Sequence, residues 1–328
     1  MKLVTFDDLG YLTLMLLRRR PVLRWTESIC TAIGDLDHLM RAGRRRYVAQ
    51  NLRLFNSQLD GPELAALVRS VFRDRWASSG DVCYRAWRGS AVDGEWRATA
   101  VPCVDGFDRL QRALERGKGA ILWESPFGSR ERLHLSLLSK QVSFTQVHGA
   151  EHGGSSSWLG QNLIRPLSRR FEGKIVPEIV DIQEGAYSYL RLIKTRLAEN
   201  RVVCMPGLGP KGRRAIGLDF LARKEHFATG VTSLAMSTGA ALIPVYSFEE
   251  RPGKWRTVFE EPVDLPGNGD RSSAQAAAIQ LYAQTLESYV RLHPEQWRRW
   301  YAAPVTVGKP GLPAVEVDIA QHSGGKIN

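Results

Sequence analysis

The clearest structural pattern in this chain lies in LQRALERGKGAILWESPFGSRE, residues 110–131. Apolar residues recur at helical spacing as far as the glycines of the GKG turn, and the apolar run AILW that follows predicts a buried strand. A second helix is predicted over RERLHLSLLSK, residues 130–140. A strand between two helices with short connections is typical of a sheet that is covered by helices.

The same alternation continues toward the C-terminus. Further strands are predicted over VSFTQVH (142–148), RVVCM (201–205) and ALIPVY (241–246), and further helices over 186–200, 230–239 and 272–292. This order predicts an α/β fold with a largely parallel central sheet flanked by helices. Two more helices are expected between residues 35 and 75. We expect a helical N-terminal segment packed on the core (1–105), an α/β core (106–304) and a flexible tail (305–328).

The composition favours a folded protein with an anionic partner. Hydrophobic residues make up 43% of the 328 residues, and Lys and Arg outnumber Asp and Glu by 45 to 34, which gives a formal net charge of +11. Nucleic acid, an anionic membrane surface or an acidic ligand would each suit this charge. The four cysteines lie far apart without a Cys-x-x-Cys pair, so no zinc or redox motif is expected and a cytoplasmic location is favoured.

The first 25 residues leave two interpretations open. Apolar residues are followed by a basic cluster at 18–20, and Tyr11 and Trp25 suit the headgroup depth of a membrane. The segment would then lie peripherally on the inner face of the membrane; alternatively, it forms a helix packed on the body of the protein. Two early aspartates argue against a secretory signal, and the longest apolar stretch, 9–17, is shorter than the roughly 20 residues of a membrane-spanning helix.

Three stretches carry a further pattern. They are residues 110–131, which end in the block PFGSRE, residues 218–246, with a Thr-Gly helix start and a TGA turn, and HPEQWRRW at 293–300. Together with YVAQNLRLF at 47–55, they resemble the bacterial lipid A biosynthesis acyltransferase family, whose lysophospholipid-acyltransferase-like enzymes move acyl chains from acyl carrier protein or coenzyme A. The resemblance extends over residues 45–302 and implies the same α/β fold and acyl transfer.

The resemblance has a departure at the expected active site. In the family, a His and an acidic residue five positions later form a dyad: the imidazole takes the proton of the acceptor hydroxyl, and the carboxylate orients the imidazole. Here Pro126 stands at the position of the His, and Glu131 stands at the position of the acid. Proline has no titratable group, so another group must take the proton.

Four residues are candidates for this chemistry. Glu131 is the first, as a lone base whose pKa desolvation would raise; the alternative is that its charge only stabilises the start of a helix. Ser125 is a candidate covalent nucleophile or, alternatively, a helix cap. His148 and His152 follow a predicted strand at the edge where α/β proteins bind ligands, although a solvated or hydrogen-bonded surface role is favoured for each.

The loop PGLGPKGRR, residues 206–214, is the predicted donor-binding element. Glycine amides beside cations suit the phosphates of a pantetheine arm, of coenzyme A or of RNA. The candidate donor-binding residues are Gly207, Gly209, Lys211, Arg213 and Arg214. A flexible surface loop with solvated charges is the alternative.

The sequence thus predicts an acyl-group transferase that lacks the family's His base. Its donor would be an acyl carrier protein or coenzyme A thioester, and its acceptor an amine, a hydroxylamine or a hydroxyl, since amines need no prior loss of a proton to react. One alternative is an aminoacyl-tRNA donor, whose phosphates suit the net charge. Another is an inactive homologue that binds acyl chains or a partner. Neither a metal nor a bound cofactor is expected.

Overall fold

The structure is a computed structural model that describes residues 2–16, 26–88, 102–149, 157–182, 188–208, 214–251, 253–265, 270–301 and 315–318. Its helices are α1 (Phe6–Leu16), α2 (Thr26–Met40), α3 (Ala42–Phe55), α4 (Gly61–Arg88), α5 (Phe107–Glu115), α6 (Arg130–Ser139), α7 (Arg165–Glu172), α8 (Ser188–Ala198), α9 (Gly230–Thr238) and α10 (Arg271–Leu292). Every helix predicted from the sequence is present among them.

The strands form one large sheet and one small sheet. They are β1 (Cys103–Asp105), β2 (Ala120–Glu124), β3 (Phe144–Gly149), β4 (Glu178–Ile182), β5 (Val202–Pro206), β6 (Arg214–Phe220), β7 (Arg223–Ala228), β8 (Ala241–Arg251), β9 (Lys254–Phe259) and β10 (Val315–Asp318). The large sheet has the order β1-β9-β8-β2-β5-β3-β4, and its neighbours are parallel except for β8 and β9. This confirms the predicted α/β class.

The turn between α5 and β2 shows why the sequence pattern predicts this region well. Gly117 and Gly119 have φ values of 70° and 69°, a conformation that favours glycine after a helix. A Cβ atom at position 119 would lie 2.8 Å from the carbonyl oxygens of Leu197 and Arg201. The glycine therefore allows β2 to enter the sheet beside β5.

The small antiparallel sheet was not predicted. β6 and β7 form a hairpin whose two-residue turn, Leu221 and Ala222, has φ values of 51° and 56°. Such turns favour Gly, Asn or Asp, so this pair gave no turn signal in the sequence. Within the predicted tail, residues 315–318 pair with β6 as β10, and the other residues after 301 lie outside the described part of the chain.

The N-terminal helices are held against the end of the core by buried polar contacts. Asn51 of α3 is buried, and its side-chain amide donates to the carbonyl oxygen of Trp300 at 2.8 Å. The Tyr301 hydroxyl donates to the carbonyl oxygen of Val71 in α4 at 3.0 Å. The contact between Asn51 and Trp300 joins two of the stretches that carry the family pattern. The domain boundaries at 105 and 304 stay predictions.

Helix α1 packs its two aspartates and Leu14 inward, and it leaves Leu9 exposed. Asp8 is fully buried and accepts a hydrogen bond from the Ser157 hydroxyl at 2.6 Å. Asp7 forms an ion pair with Arg75 of α4 at 2.7 Å. Leu9, by contrast, is 55% exposed.

The outward side of α1 continues into a neighbouring segment. Backbone N–H groups at 158 and 159 donate to the carbonyl oxygens at 2 and 3, at 3.0 and 3.1 Å. The exposed apolar side chains of this region, which we call the α1 surface, are Leu3, Val4, Leu9, Trp158 and Leu163. No helix among the described residues combines the length and apolar character needed to cross a membrane. The basic cluster at 18–20 lies outside the described residues.

Candidate active site

The block PFGSRE forms the turn between β2 and α6. Gly128 has a φ of 63°, and a Cβ atom there would lie 2.0 Å from the carbonyl oxygen of Ser247 in β8. Only glycine allows this close approach without a shift of the backbone. The next N–H group, that of Ser129, donates to the same oxygen at 2.7 Å. The start of α6 is therefore fixed against β8.

The motif HPEQWRRW packs directly on this turn. The Gly128 N–H donates to the carbonyl oxygen of Gln296 at 3.1 Å, and the Arg298 N–H donates to that of Pro126 at 3.0 Å. The Arg298 guanidinium also donates to the Gly128 carbonyl oxygen at 3.1 Å. The two motifs thus form one structural unit, although the hydrogen-bonded residues Arg298 and Gly128 are 170 positions apart in the sequence.

Ionisable and amide side chains gather beside this unit, at the carboxyl end of β2 and β3. The members of this buried polar cluster are Glu124, Arg130, Glu131, His134, Gln146, His148 and Glu172. The carboxyl ends of parallel strands are where α/β proteins bind ligands. The cluster is therefore the candidate active site.

Glu124 lies deep in the cluster and is 5% exposed. The Gln146 amide donates to its Oε2 atom at 2.9 Å, and the Gln146 Oε1 atom lies 2.6 Å from Nε2 of His134. Burial raises the pKa of Glu124 to about 7, against the lowering effects of Arg130 and Gln146. Its Oε1 atom is buried and has no hydrogen-bond partner among the described residues.

Glu131 lies nearer the surface, with a side chain that is 24% exposed. Burial raises the pKa of Glu131, but attraction to Arg130 and His134 outweighs it, so the pKa is lowered overall. The expected rise of this pKa is therefore wrong. The cause is Arg130, whose guanidinium lies 3.8 Å from the carboxylate. Glu131 also accepts a hydrogen bond from the Ser129 hydroxyl at 3.2 Å.

The two predicted histidines have different outcomes. His148 is buried in β3, and its Nε2 atom lies 3.0 Å from a carboxylate oxygen of Glu172, which lies 3.7 Å from Arg130. It is therefore part of the cluster, rather than a solvated surface residue. His152 lies outside the described residues.

Burial lowers the pKa of His134, another member of the cluster, to about 4, so its imidazole is neutral near pH 7.

Ser125 lies beside the cluster, and its hydroxyl group forms a hydrogen bond with the hydroxyl group of Tyr282. The Tyr282 hydroxyl also donates to the Glu124 carbonyl oxygen at 2.8 Å. Burial raises the pKa of Tyr282 well above its usual range, so this phenol does not act as a base near neutral pH. The contact gives Ser125 no activating partner, and its role as a nucleophile stays a prediction.

The start of the predicted donor loop lies next to the cluster. In the sheet, Pro206 of β5 pairs with Glu124, and the Gly207 N–H donates to the Glu124 carbonyl oxygen at 2.9 Å. A Cβ atom at position 207 would lie 1.7 Å from Nε1 of Trp123, which gives this glycine a packing role. Arg214 begins β6. The other candidate donor-binding residues, Gly209, Lys211 and Arg213, lie outside the described residues.

Several members of the cluster were not predicted from the sequence. Glu124 carries the clearest missed signal, because it is a charged residue at the end of an otherwise apolar buried strand, AILWE. Such residues are rarely buried without a specific reason. Arg130 and Glu172 gave no such signal, because charged residues on helices are usually solvated. Among the described residues, no group of three or more His, Cys, Asp and Glu side chains is arranged to hold a metal ion.

Comparison with known proteins agrees with this geometry. The sequence profile of the bacterial lipid A biosynthesis acyltransferase family matches residues 2–301. A phosphatidylinositol mannoside acyltransferase of Mycolicibacterium smegmatis is 26% identical over 261 residues, which cover 77% of this chain and 80% of that protein. A protein of the same name from Mycobacterium tuberculosis is 27% identical over 194 residues, 59% of this chain and 57% of that protein. The match spans nearly the whole described core, and the resemblance is confirmed: this chain belongs to the bacterial lipid A biosynthesis acyltransferase family.

Proposed function

We propose that this protein transfers an acyl group from a thioester donor to a hydroxyl or amine group of a lipid acceptor. The observation that carries the proposal is the meeting of the block PFGSRE with the motif HPEQWRRW beside the buried polar cluster. Membership of an acyltransferase family supports the reaction. The similar mycobacterial proteins, which are named for a mannosylated phosphatidylinositol, support a glycolipid as the acceptor.

The reaction needs a group that manages one proton. The acceptor oxygen or nitrogen attacks the carbonyl carbon of the donor, a new bond to carbon forms, and the carbon–sulfur bond breaks. The acceptor proton must leave during this step and finally reach the thiolate. Pro126 cannot take it, so the proposed mechanism uses another residue of the cluster for general base catalysis.

The loop after β5 is proposed to hold the donor. Pro206 pairs with Glu124 at the end of β5, so the loop begins beside the cluster. Lys211, Arg213 and Arg214 supply positive charge for the phosphates of coenzyme A or of the pantetheine arm. A donor that is bound there would present its thioester toward the end of β2.

A lipid acceptor requires contact with a membrane, and the α1 surface supports such contact. The side chains of Leu9 and Trp158 on this surface are 55% and 49% exposed, whereas the acidic residues of α1 face inward. Tryptophan suits the headgroup region, and leucines suit the acyl boundary. The net charge of +11 favours a bilayer with anionic lipids. We therefore propose peripheral binding to such a bilayer through this surface.

The proposal is tested by following a labelled acyl group. The protein is incubated with vesicles that contain a mannosylated phosphatidylinositol or a long-chain amine, and radiolabelled acyl-coenzyme A, acyl carrier protein thioester and aminoacyl-tRNA are supplied in separate reactions. The proposal predicts label in the lipid from a thioester donor. Transfer from aminoacyl-tRNA alone would favour that donor instead. Cooperative unfolding in urea serves as the control that the protein is folded. If folded protein transfers no label in any of these reactions, the proposed function is overturned.

A further inference from the structure

We propose that Glu124 is the catalytic residue that accepts the proton of the acceptor, the task that Pro126 cannot perform. The inference rests on the proposed function and deepens it, because it assigns the base of that reaction. Glu124 stands at the last position of β2, two residues before Pro126. It therefore lies on the same connection that carries the family's block into α6.

The two carboxylate oxygens of Glu124 have different surroundings. Oε2 is held by the Gln146 amide at 2.9 Å, so the carboxylate has a fixed orientation. Oε1 is buried without a hydrogen-bond partner among the described residues. A buried acceptor atom without a donor is unfavourable, and such atoms in native proteins call for an explanation. A hydroxyl or amine of a bound acceptor would supply the missing donor.

The charges around Glu124 keep its proton exchangeable near neutral pH. Burial raises its pKa, the positive charge of Arg130 lowers it, and the negative charges of Glu131 and Glu172 raise it again. The result is a pKa of about 7. A general base works best when its pKa lies near the working pH, because it must both accept the proton and release it.

Glu131 and His134, two further members of the cluster, suit this role less well. The pKa of Glu131 is lowered, and its carboxylate already accepts from Ser129. His134 has a pKa of about 4, and its Nε2 atom is engaged by Gln146. Glu131 contributes a negative charge near Glu124, and His134 contacts the Gln146 side chain that orients Glu124.

The proposed step balances without a further reactant. The acceptor oxygen or nitrogen forms a bond to the thioester carbonyl carbon while its proton moves to Oε1 of Glu124. The carbon–sulfur bond then breaks, and the proton passes from Glu124 to the leaving thiolate. The products are an ester or amide and a free thiol, and Glu124 returns to the carboxylate form.

The test compares variants in the acyl transfer assay. Glu124→Gln keeps the size of the side chain and an oxygen for the Gln146 amide, but it removes the base, so we expect transfer to fall by about 10²–10⁴-fold. Glu124→Asp keeps a carboxylate and should retain more activity than Glu124→Gln. The control is Glu178→Gln, which removes a carboxylate of the same sheet that pairs with Arg196 at 2.7 Å, outside the cluster. It should transfer at close to the wild-type rate.

A pH profile separates a catalytic from a merely structural role. In the wild type, kcat/KM should rise with pH around a midpoint of about 7, and this rise should be absent from the residual activity of Glu124→Gln. A folded Glu124→Gln variant with wild-type transfer, or one that keeps the same pH midpoint, would overturn the assignment and leave the proposed function standing. If the wild type transfers no acyl group, the proposed function fails and the assignment fails with it.

Discussion

Replacement of Glu124 by Gln should make the protein more stable at alkaline pH. In the folded protein the carboxyl has a pKa of about 7, against an ordinary value of 4.5. The folded state therefore binds more protons than the unfolded state between these values, so the free energy of unfolding of the wild type falls as pH rises through this window. The difference between these two pKa values corresponds to about 3 kcal/mol. Gln does not titrate, so the variant escapes this loss.

Urea denaturation of both proteins across pH 5 to 8.5 measures the effect. The stability advantage of Glu124→Gln should be below about 1 kcal/mol at pH 5 and should approach about 3 kcal/mol at pH 8. Because all other titrating groups are shared, they largely cancel in the difference. An advantage that stays constant across this range would refute the reasoning, as would a variant that is less stable than the wild type at pH 8. A Glu124→Gln variant that is more stable than the wild type but transfers less acyl group would be typical of a residue that serves function at a cost in stability.

Three further predictions concern the surroundings of the site and the α1 surface. Glu131→Gln removes a negative charge that raises the pKa of Glu124, so the pH midpoint of transfer should move to lower pH; an unchanged or higher midpoint would contradict this. Gly207→Ala places a Cβ atom 1.7 Å from the Trp123 indole and should cost about 1–3 kcal/mol in urea denaturation, whereas a neutral change would show that the indole can move. Leu9→Asp should weaken the sedimentation of the protein with anionic vesicles. The control Leu281→Asp, at a similarly exposed leucine of α10, should leave sedimentation unchanged. Equal effects of the two substitutions would show that the α1 surface does not bind the membrane.

The elements that were predicted correctly are those whose signals are local. Helical spacing in α5 and the glycines at 117 and 119 determine a helix end and a strand start within about ten residues, so the sequence contains all the information that is needed. The hairpin of β6 and β7 was missed because its turn consists of Leu221 and Ala222, which adopt a left-handed conformation imposed by the surrounding structure. Local patterns do not report such constraints.

The candidate site was predicted only in part, because its chemistry depends on contacts between distant segments. The block at 126–131 was located correctly, but the pKa of Glu131 depends on how Arg130 folds against it. Glu124 acquires its raised pKa from burial in the folded protein, and its fixed orientation comes from Gln146, 22 residues away. Periodicity places such residues on strands and helices, but it does not show which side chains face each other.

The most direct test of the account is the ionisation of Glu124 itself. Glutamate labelled with ¹³C at the carboxyl carbon gives one NMR signal per residue, and the signal absent from Glu124→Gln identifies the residue. We predict that this signal titrates with a midpoint of about 7, as expected for a buried carboxyl that exchanges its proton near neutral pH. A midpoint near the ordinary value of 4.5 would show a carboxylate that is too acidic for the proposed role, and it would contradict the account.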